Sequence, residues 1–342
     1  MQKKIIILLA TLMIAFIFCG AATAATVKTN HLTTAKNIVE KANYEQNQPA
    51  IDGNRIVWTQ TDSSGHRAVY VKNIATGTYG KVQPSTQDQY SPDISGTRVV
   101  WEQMDSSSHT TVYYKNLQTG TSSKLLTTTR NQFTPAIDGV RVVWAQNTPT
   151  GSAIYLKNIA TGSYSKVQTS TEDQEYPDIS GTIVVWHQYK SNSIHTAIYY
   201  KNIATGSNGI VKSSTNDQEY PSIDGTRVVW EQYTSKGAVI YYKNLKTGDY
   251  GKVHTSTQSQ NNAAIDGNRI VWTQYNSSTM VSAVYVKNIA TGSITKIQTP
   301  TADRLDPAIS GTKVVWAQED SSGLYKIYMK NLLTGSVVRL TP

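Results

Sequence analysis

Four short apolar stretches recur in a fixed order along this chain, each bounded by turn-forming residues. In the first copy they are Pro49-Ala50-Ile51, Arg55 to Gln60, Ala68 to Lys72 and Tyr79 to Gln83. The second stretch alternates, so that Ile56, Trp58 and Gln60 fall on one face of a strand and Val57 and Thr59 on the other. Asp52-Gly53 ahead of it predicts a tight hairpin, because glycine supplies the positive φ of such a turn. Asn73-Ile74-Ala75-Thr76-Gly77 predicts a second turn, built on the local bonding of Asn and the freedom of Gly. Apolar residues on both faces imply strands that are covered on both sides.

The pattern returns with a period in the low forties. Tryptophan stands at positions 58, 101, 144, 186, 230, 272 and 316, with gaps of 43, 43, 42, 44, 42 and 44 residues. Each Trp is followed by a Tyr (Tyr70 in the first copy, Tyr328 in the last), then Lys-Asn, then Thr-Gly. Four antiparallel strands in a repeat of this length are the signature of a propeller blade. The fold class is therefore all-β: a seven-bladed β-propeller with four antiparallel strands per blade. A solenoid of stacked hairpins is the alternative, but it requires distinctive caps, and the last copy is as apolar as the middle ones. The tryptophans are expected to wedge neighbouring blades together.

The text Tyr90-Ser91-Pro92-Asp93 to Trp101, with Ile74-Ala75-Thr76-Gly77 and Lys81-Val82, resembles the TolB-type propeller repeat. It is more similar still to the WD40-like β-propeller repeats of exported and cell-surface proteins of archaea and bacteria, over residues 45 to 342. The chain departs from TolB itself, which is six-bladed and carries an N-terminal α/β domain. The compact Ser-Pro-Asp-Gly turn is also opened here, with Ile94-Ser95 before Gly96. The resemblance implies export and a non-catalytic binding role, and carries over no functional residue.

The first residues agree with export. Lys3-Lys4, an apolar run from Ile5 to Phe18 and Ala22-Thr23-Ala24 have the three-part pattern of a secretory leader. Three segments are expected: a signal peptide at 1–24, an N-terminal extension at 25–44 and the propeller at 45–342. The protein would be secreted or held at the cell surface, and membrane-associated only if the leader stays uncleaved. The single cysteine, Cys19, lies within the leader, so stability must come from core burial. In the extension, Asn37-Ile38-Val39-Glu40 aligns with a fourth strand, although Val337-Val338-Arg339-Leu340 already supplies one to the last blade. The C-terminal segment is expected to take that place, with residues 33–40 outside it.

Net charge is +9, which raises nucleic acid or an acidic polymer as a partner. Most of the 32 basic residues, however, occupy three repeat positions, exemplified by Lys72, Lys81 and Arg55. Such rings spread charge around the molecule, whereas nucleic-acid binding needs a patch. No nucleic-acid partner is expected, and the protein is expected to be a monomer that binds an envelope protein or an anionic cell-wall polymer.

Function should lie where the repeat breaks. The Asp-Gly and Asn-x-x-Thr-Gly turns on one face are nearly identical, a sameness that backbone geometry alone would explain. The opposite face carries the variable loops between second and third strands and the approaches to each innermost strand. There a ring of Gln46, Gln89, Gln132, Gln174, Gln218 and Gln260 is broken once, by Arg304. Beside it stand Glu175-Tyr176, Glu219-Tyr220 and Leu305-Asp306. Either the glutamines close the channel mouth against neighbouring loops, or the mouth accepts an extended peptide or a sugar. Glu102, His187 and Glu231 replace Thr or Ala after the Trp, and are expected to meet a ligand or a neighbouring arginine.

No nucleophile elbow, zinc-binding helix motif or phosphate loop is present, so no catalytic residue, metal or cofactor is expected. His187 and His195 come nearest to a metal pair but lack a third ligand. The sequence thus points to an exported, non-catalytic binding scaffold acting through the variable-loop face. The alternative is an envelope-polysaccharide lyase or hydrolase using Glu175 and Glu219.

Overall fold

Each copy of the repeat folds into one antiparallel sheet. The computed structural model describes residues 44–191, 193–297 and 302–341, which form seven four-stranded sheets and no helix. Blade 1 consists of Gln46–Asp52, Arg55–Thr61, Arg67–Asn73 and Tyr79–Lys81, paired in chain order. The first strand of every blade lies against the first strands of its two neighbours, and that of blade 7 (Arg304–Ser310) returns to that of blade 1. Innermost strands therefore line a closed ring. The expected leader and almost all of the extension, including residues 33–40, lie outside the described residues.

The core sits between blades. All seven tryptophans are fully buried. Val57, Val69 and Val82 of blade 1 meet Ile94, Val99 and Trp101 of blade 2, and equivalent sets recur around the ring. Each Trp stacks on the Tyr of its paired third strand, with centroids 5.6 to 6.2 Å apart and planes 18° to 19° from parallel. Burying ~250 Å² of indole per blade stabilises each seam by several kcal/mol, at about 25 cal/mol per Å². The second ring of lysines serves the same stack: Lys81, Lys124, Lys166, Lys252 and Lys296 sit 5.9 to 6.0 Å from the Tyr ring centroids.

Three rings of hydrogen bonds cross the seams. In six of the seven blades, among the described residues, the lysine of the third strand donates to the carbonyl just past the previous blade's fourth strand, as Lys115 to Val82 at 2.6 Å and Lys243 to Val211 at 2.6 Å. The Asp or Ser before each turn glycine accepts from the turn glycine of the next blade. Asp52 meets Gly96, Ser95 meets Gly139, Asp138 meets Gly181, Ser180 meets Gly225, Asp224 meets Gly267, Asp266 meets Gly311, and Ser310 meets Gly53. Backbone geometry alone is therefore not why these turns are alike, because each also ties two blades together.

The third ring is that of the glutamines. The innermost strand starts earlier than expected, at the Gln rather than near the Pro, so the Gln side chain is buried in the seam. Gln132 Oε1 accepts from Val112 N of the previous blade at 2.9 Å, and its Nε2 donates to Gln146 at 3.1 Å. Gln46, Gln89, Gln174 and Gln260 hold Ile327, Val69, Ile154 and Ile240 in the same way.

Blade 7 takes its fourth strand, Val337–Arg339, from its own repeat, as expected. It meets blade 1 without exchanging a strand. Ile327 N donates to Gln46, Lys326 Nζ to Tyr44 O at 2.8 Å, and Lys313 Nζ to Gly53 O at 3.1 Å. Ile51, Ile56 and Trp58 pack on Val315, Ala317 and Ile327.

Candidate functional site at the channel mouth

Two residues after each seam Gln, the innermost strand bulges and its register against the second strand shifts. The residue at that bulge has φ between 46° and 56° in all seven blades, and none is glycine: Gln48, Ser91, Thr134, Tyr176, Tyr220, Asn262 and Asp306. A left-handed conformation costs a non-glycine residue on the order of 1–2 kcal/mol, and for a bulky Tyr it is a true outlier. Seven such residues form the lip of the channel.

Most of the lip is stitched by side chains from neighbouring blades. Glu102 Oε1 accepts from Thr134 N at 2.7 Å, Glu231 Oε1 from Asn262 N at 2.7 Å, and Gln48 Oε1 from Ser91 N at 3.2 Å. Asn262 Nδ2 donates to Asp306 Oδ1 at 2.8 Å. Glu102, Glu231 and Asp306 are thus spent on holding the lip. Glu102 and Glu231 meet backbone amides, which corrects the expectation of a neighbouring arginine or a ligand. Burial pushes all three carboxyls up, that of Glu231 to about 7.

Blades 4 and 5 differ. The previous blade offers Ala145 and His187 at the stitching position, and among the described residues no side-chain oxygen caps the amide of Tyr176 or Tyr220. The two tyrosines meet edge to face at 4.7 Å and remain part-exposed. His187, almost fully buried, lies 5.1 Å from the Tyr176 ring, with its Nε2 3.6 Å from Glu175 Oε2 and its Nδ1 without a hydrogen-bond partner among the described residues. Burial raises the Glu219 carboxyl, an effect that the nearby His187 opposes. His195 is drawn away to Asp217, at 3.0 Å, so the two histidines do not converge. Among the described residues, no group of three or more His, Cys, Asp or Glu could hold a metal ion.

A cleft of about 400 Å³ opens inside this lip, lined by Ser91, Thr134, Tyr176, Tyr220 and Asn262 and, deeper, by Asp93 and Asp178. Both carboxylates accept amides of their own and the next blade: Asp93 from Ile94 and Ile137, Asp178 from Ile179 and Ile223. The surrounding strands solvate them poorly, and burial raises Asp93 to about 7 and Asp178 to about 6. For Asp93, the charge of Asp178 adds to the rise.

The structure brings together Glu175, Tyr176, His187, Glu219 and Tyr220 at one side of the mouth. It places Gln174, Gln218 and Arg304 in the seams, where each is at most 2% exposed and bonds to the Gln two residues after its blade's Trp. The strained lip and the two bore acids escape sequence reasoning. A signal exists for the acids: the position after the Pro is Ala50, Ala136, Ala264 and Ala308 in four copies and Ser222 in a fifth, but Asp in the copies of blades 2 and 4.

A scan against protein-family models and a search of curated proteins both return no match. Solved structures do match. A Mycobacterium tuberculosis puromycin-hydrolyzing peptidase superposes with a TM-score of 0.69 and 14% identity, over 89% of this chain and 54% of that one. The β-propeller domain of the Trilobed protease from Pyrococcus furiosus, described as having an open velcro topology, gives 0.71 and 12%, over 88% and 97%. The Pyrococcus horikoshii acylaminoacyl peptidase gives 0.67 and 12%, over 87% and 52%. The chain is a seven-bladed β-propeller, and it spans about half the length of the full peptidases it matches. These findings overturn the expectation of a non-catalytic envelope scaffold, and with it the polysaccharide lyase or hydrolase at Glu175 and Glu219. The propellers this chain is like in three dimensions belong to peptidases.

Proposed function

We propose that this propeller is the peptide-handling part of a peptidase assembly, and that its channel mouth receives an extended basic peptide segment destined for a hydrolase site carried elsewhere. One observation carries the reading: at blades 4 and 5 the lip is unstitched, and there two strained tyrosines, two glutamates and a histidine surround uncapped amides above two bore acids. The amides of Tyr176 and Tyr220 offer donors to peptide carbonyls, the rings offer apolar walls, and Glu175, Glu219, Asp93 and Asp178 favour a cationic side chain or N-terminus. A cleft of about 400 Å³ suits an extended segment and excludes a folded domain. The acids of the mouth also disfavour an anionic polymer there. The leader-like residues 1–24 and the TolB-type repeat text support a site of action outside the cell membrane.

The test has two arms. The tagged full chain, recovered from cells that express it and treated with a fluorophosphonate probe, is expected to co-elute with a labelled hydrolase. Lysine-rich decapeptides should bind it more tightly than glutamate-rich ones of equal length, and Tyr176→Ala with Tyr220→Ala should remove the difference. No labelled species, or equal binding of both peptides, would sink the reading.

A further inference from the structure

Seven copies of one blade allow a departure in one to be measured against the others. The third-strand residue that pairs with the middle of the fourth strand is Val71 opposite Gly80 in blade 1, Tyr200 opposite Gly209 in blade 4 and Tyr242 opposite Gly251 in blade 5. In blades 4 and 5 the tyrosine ring covers the glycine. A Cβ placed on Gly209 would stand 3.3 Å from Tyr200 Cε1, and one on Gly251 would stand 3.5 Å from Tyr242 Cε1. A Cβ on Gly80 would meet nothing within 4 Å, because Val71 is too short to reach over it. The remaining blades fill the fourth-strand position themselves, with Ser123, Ser165, Thr295 and Val338. Blade 1 has neither the ring nor the side chain. The result is a cleft of about 560 Å³ where blade 1 meets blade 2, walled by Arg55, Val71, Asn73, Tyr79, Thr97 and Leu117.

Arg55, on the wall of this cleft, is a second and independent observation. Its equivalents Arg141, Arg227 and Arg269 donate to the carbonyls of Gly181, Gly267 and Gly311 in the next blade, and Lys313 donates to Gly53. Arg55 makes no such bond to Gly96, and Arg98 of blade 2 likewise makes none to Gly139; of these two, Arg55 lies on the wall of this cleft, with its guanidinium donors uncommitted among the described residues. Arginine presents planar paired donors that match a carboxylate. An absent ring above a glycine and an unbonded guanidinium beside it describe one kind of occupant.

We propose that the cleft between blades 1 and 2 binds an aromatic carboxylate, with its ring over Gly80, where blades 4 and 5 hold Tyr200 and Tyr242, and its carboxylate on Arg55. Such a group is presented by a free arylpropanoic acid or by a C-terminal Tyr or Phe of a peptide. The site is separate from the channel mouth and does not depend on the peptidase reading.

The full chain is titrated with 3-(4-hydroxyphenyl)propanoate and with the peptide Ala-Ala-Ala-Tyr, by calorimetry and saturation-transfer NMR, and saturable binding is expected for at least one. Whichever probe binds identifies the source of the carboxylate. Val71→Tyr installs the ring that blades 4 and 5 already accommodate, so it should abolish binding while the melting temperature stays level or rises. Arg55→Gln should weaken the acid that binds on the order of tenfold or more, the usual loss of a charge-assisted hydrogen-bond pair, and should leave unchanged the binding of its C-terminal or carboxyl amide, which offers no carboxylate to Arg55. Absence of saturation at millimolar ligand, or wild-type binding by Val71→Tyr, overturns the proposal. So does a sharp fall in the melting temperature of Val71→Tyr, since the ring would then not fit over Gly80.

Discussion

At the seams, the copies of the repeat keep a narrow choice of residue type in each role, with Trp as wedge, Lys on a carbonyl, Asp or Ser on a turn amide, and Gln on a mid-strand amide, a place that Arg304 takes in blade 7. At the lip, the same copies place six different residue types at one bulge and force all of them into a conformation that only Asn and Asp among them adopt readily. Uniformity marks groups whose partners are themselves repeated backbone atoms. Divergence marks groups whose partner the fold does not dictate. Among the described residues, the amides of Tyr176 and Tyr220 in blades 4 and 5, like that of Asp306 in blade 7, meet no capping oxygen from the previous blade, and at blades 4 and 5 the lip residues are bulky tyrosines.

That contrast requires substitutions on its two sides to differ in size. Trp186→Ala removes the wedge between blades 3 and 4 and is expected to cost about 3–5 kcal/mol, measured by urea unfolding. A cost near ~1 kcal/mol, the ordinary effect of a point substitution, would mean that the seams are not where stability resides.

The bore gives the next effect. Asp93, Asp178 and Glu231 titrate at about 7, 6 and 7, above the ordinary carboxylate range, because burial disfavours their charged forms. The folded chain therefore keeps protons that the unfolded chain has already released above about pH 4. Stability should fall as pH rises from about 5 to about 7 and level off beyond. Melting curves across that range should show the decline, and Asp93→Asn with Asp178→Asn should flatten it. A melting temperature that climbs steadily across the same range would contradict the assignment.

The smallest change belongs to the lip. Tyr220→Gly relieves a left-handed φ but adds the entropy cost of glycine, terms of ~1 kcal/mol each and of opposite sign. Stability should therefore move by less than about 1 kcal/mol in the same urea assay. A loss of more than ~2 kcal/mol, the range of buried large-to-small changes, would make Tyr220 a seam residue in disguise.

The blades are legible in the sequence because their signals are local: alternation at Ile56 to Gln60, glycine at the turns, a Trp every low-forties residues. The lip is not, because Ser91, Thr134 or Tyr176 carries no mark of positive φ. That conformation belongs to the bulge where each innermost strand shifts register against its own second strand, and it cannot be read from residue type. Gln132 is visible as a repeated polar residue, but its partner, Val112 N, lies in another blade and has no sequence signature. Glu102 and Glu231 stand out as departures from the repeat, yet their partners are backbone amides, which no pairing of side-chain charges could reveal.

Every blade draws its four strands from one copy of the repeat, and blade 7 meets blade 1 without lending it a strand. In the gene, crossing-over between two copies would delete or insert one whole sheet and split no four-stranded sheet. Blade number can then drift by integers over evolutionary time, with each lip residue inherited as part of its module. A mouth built this way can be recomposed by shuffling whole blades.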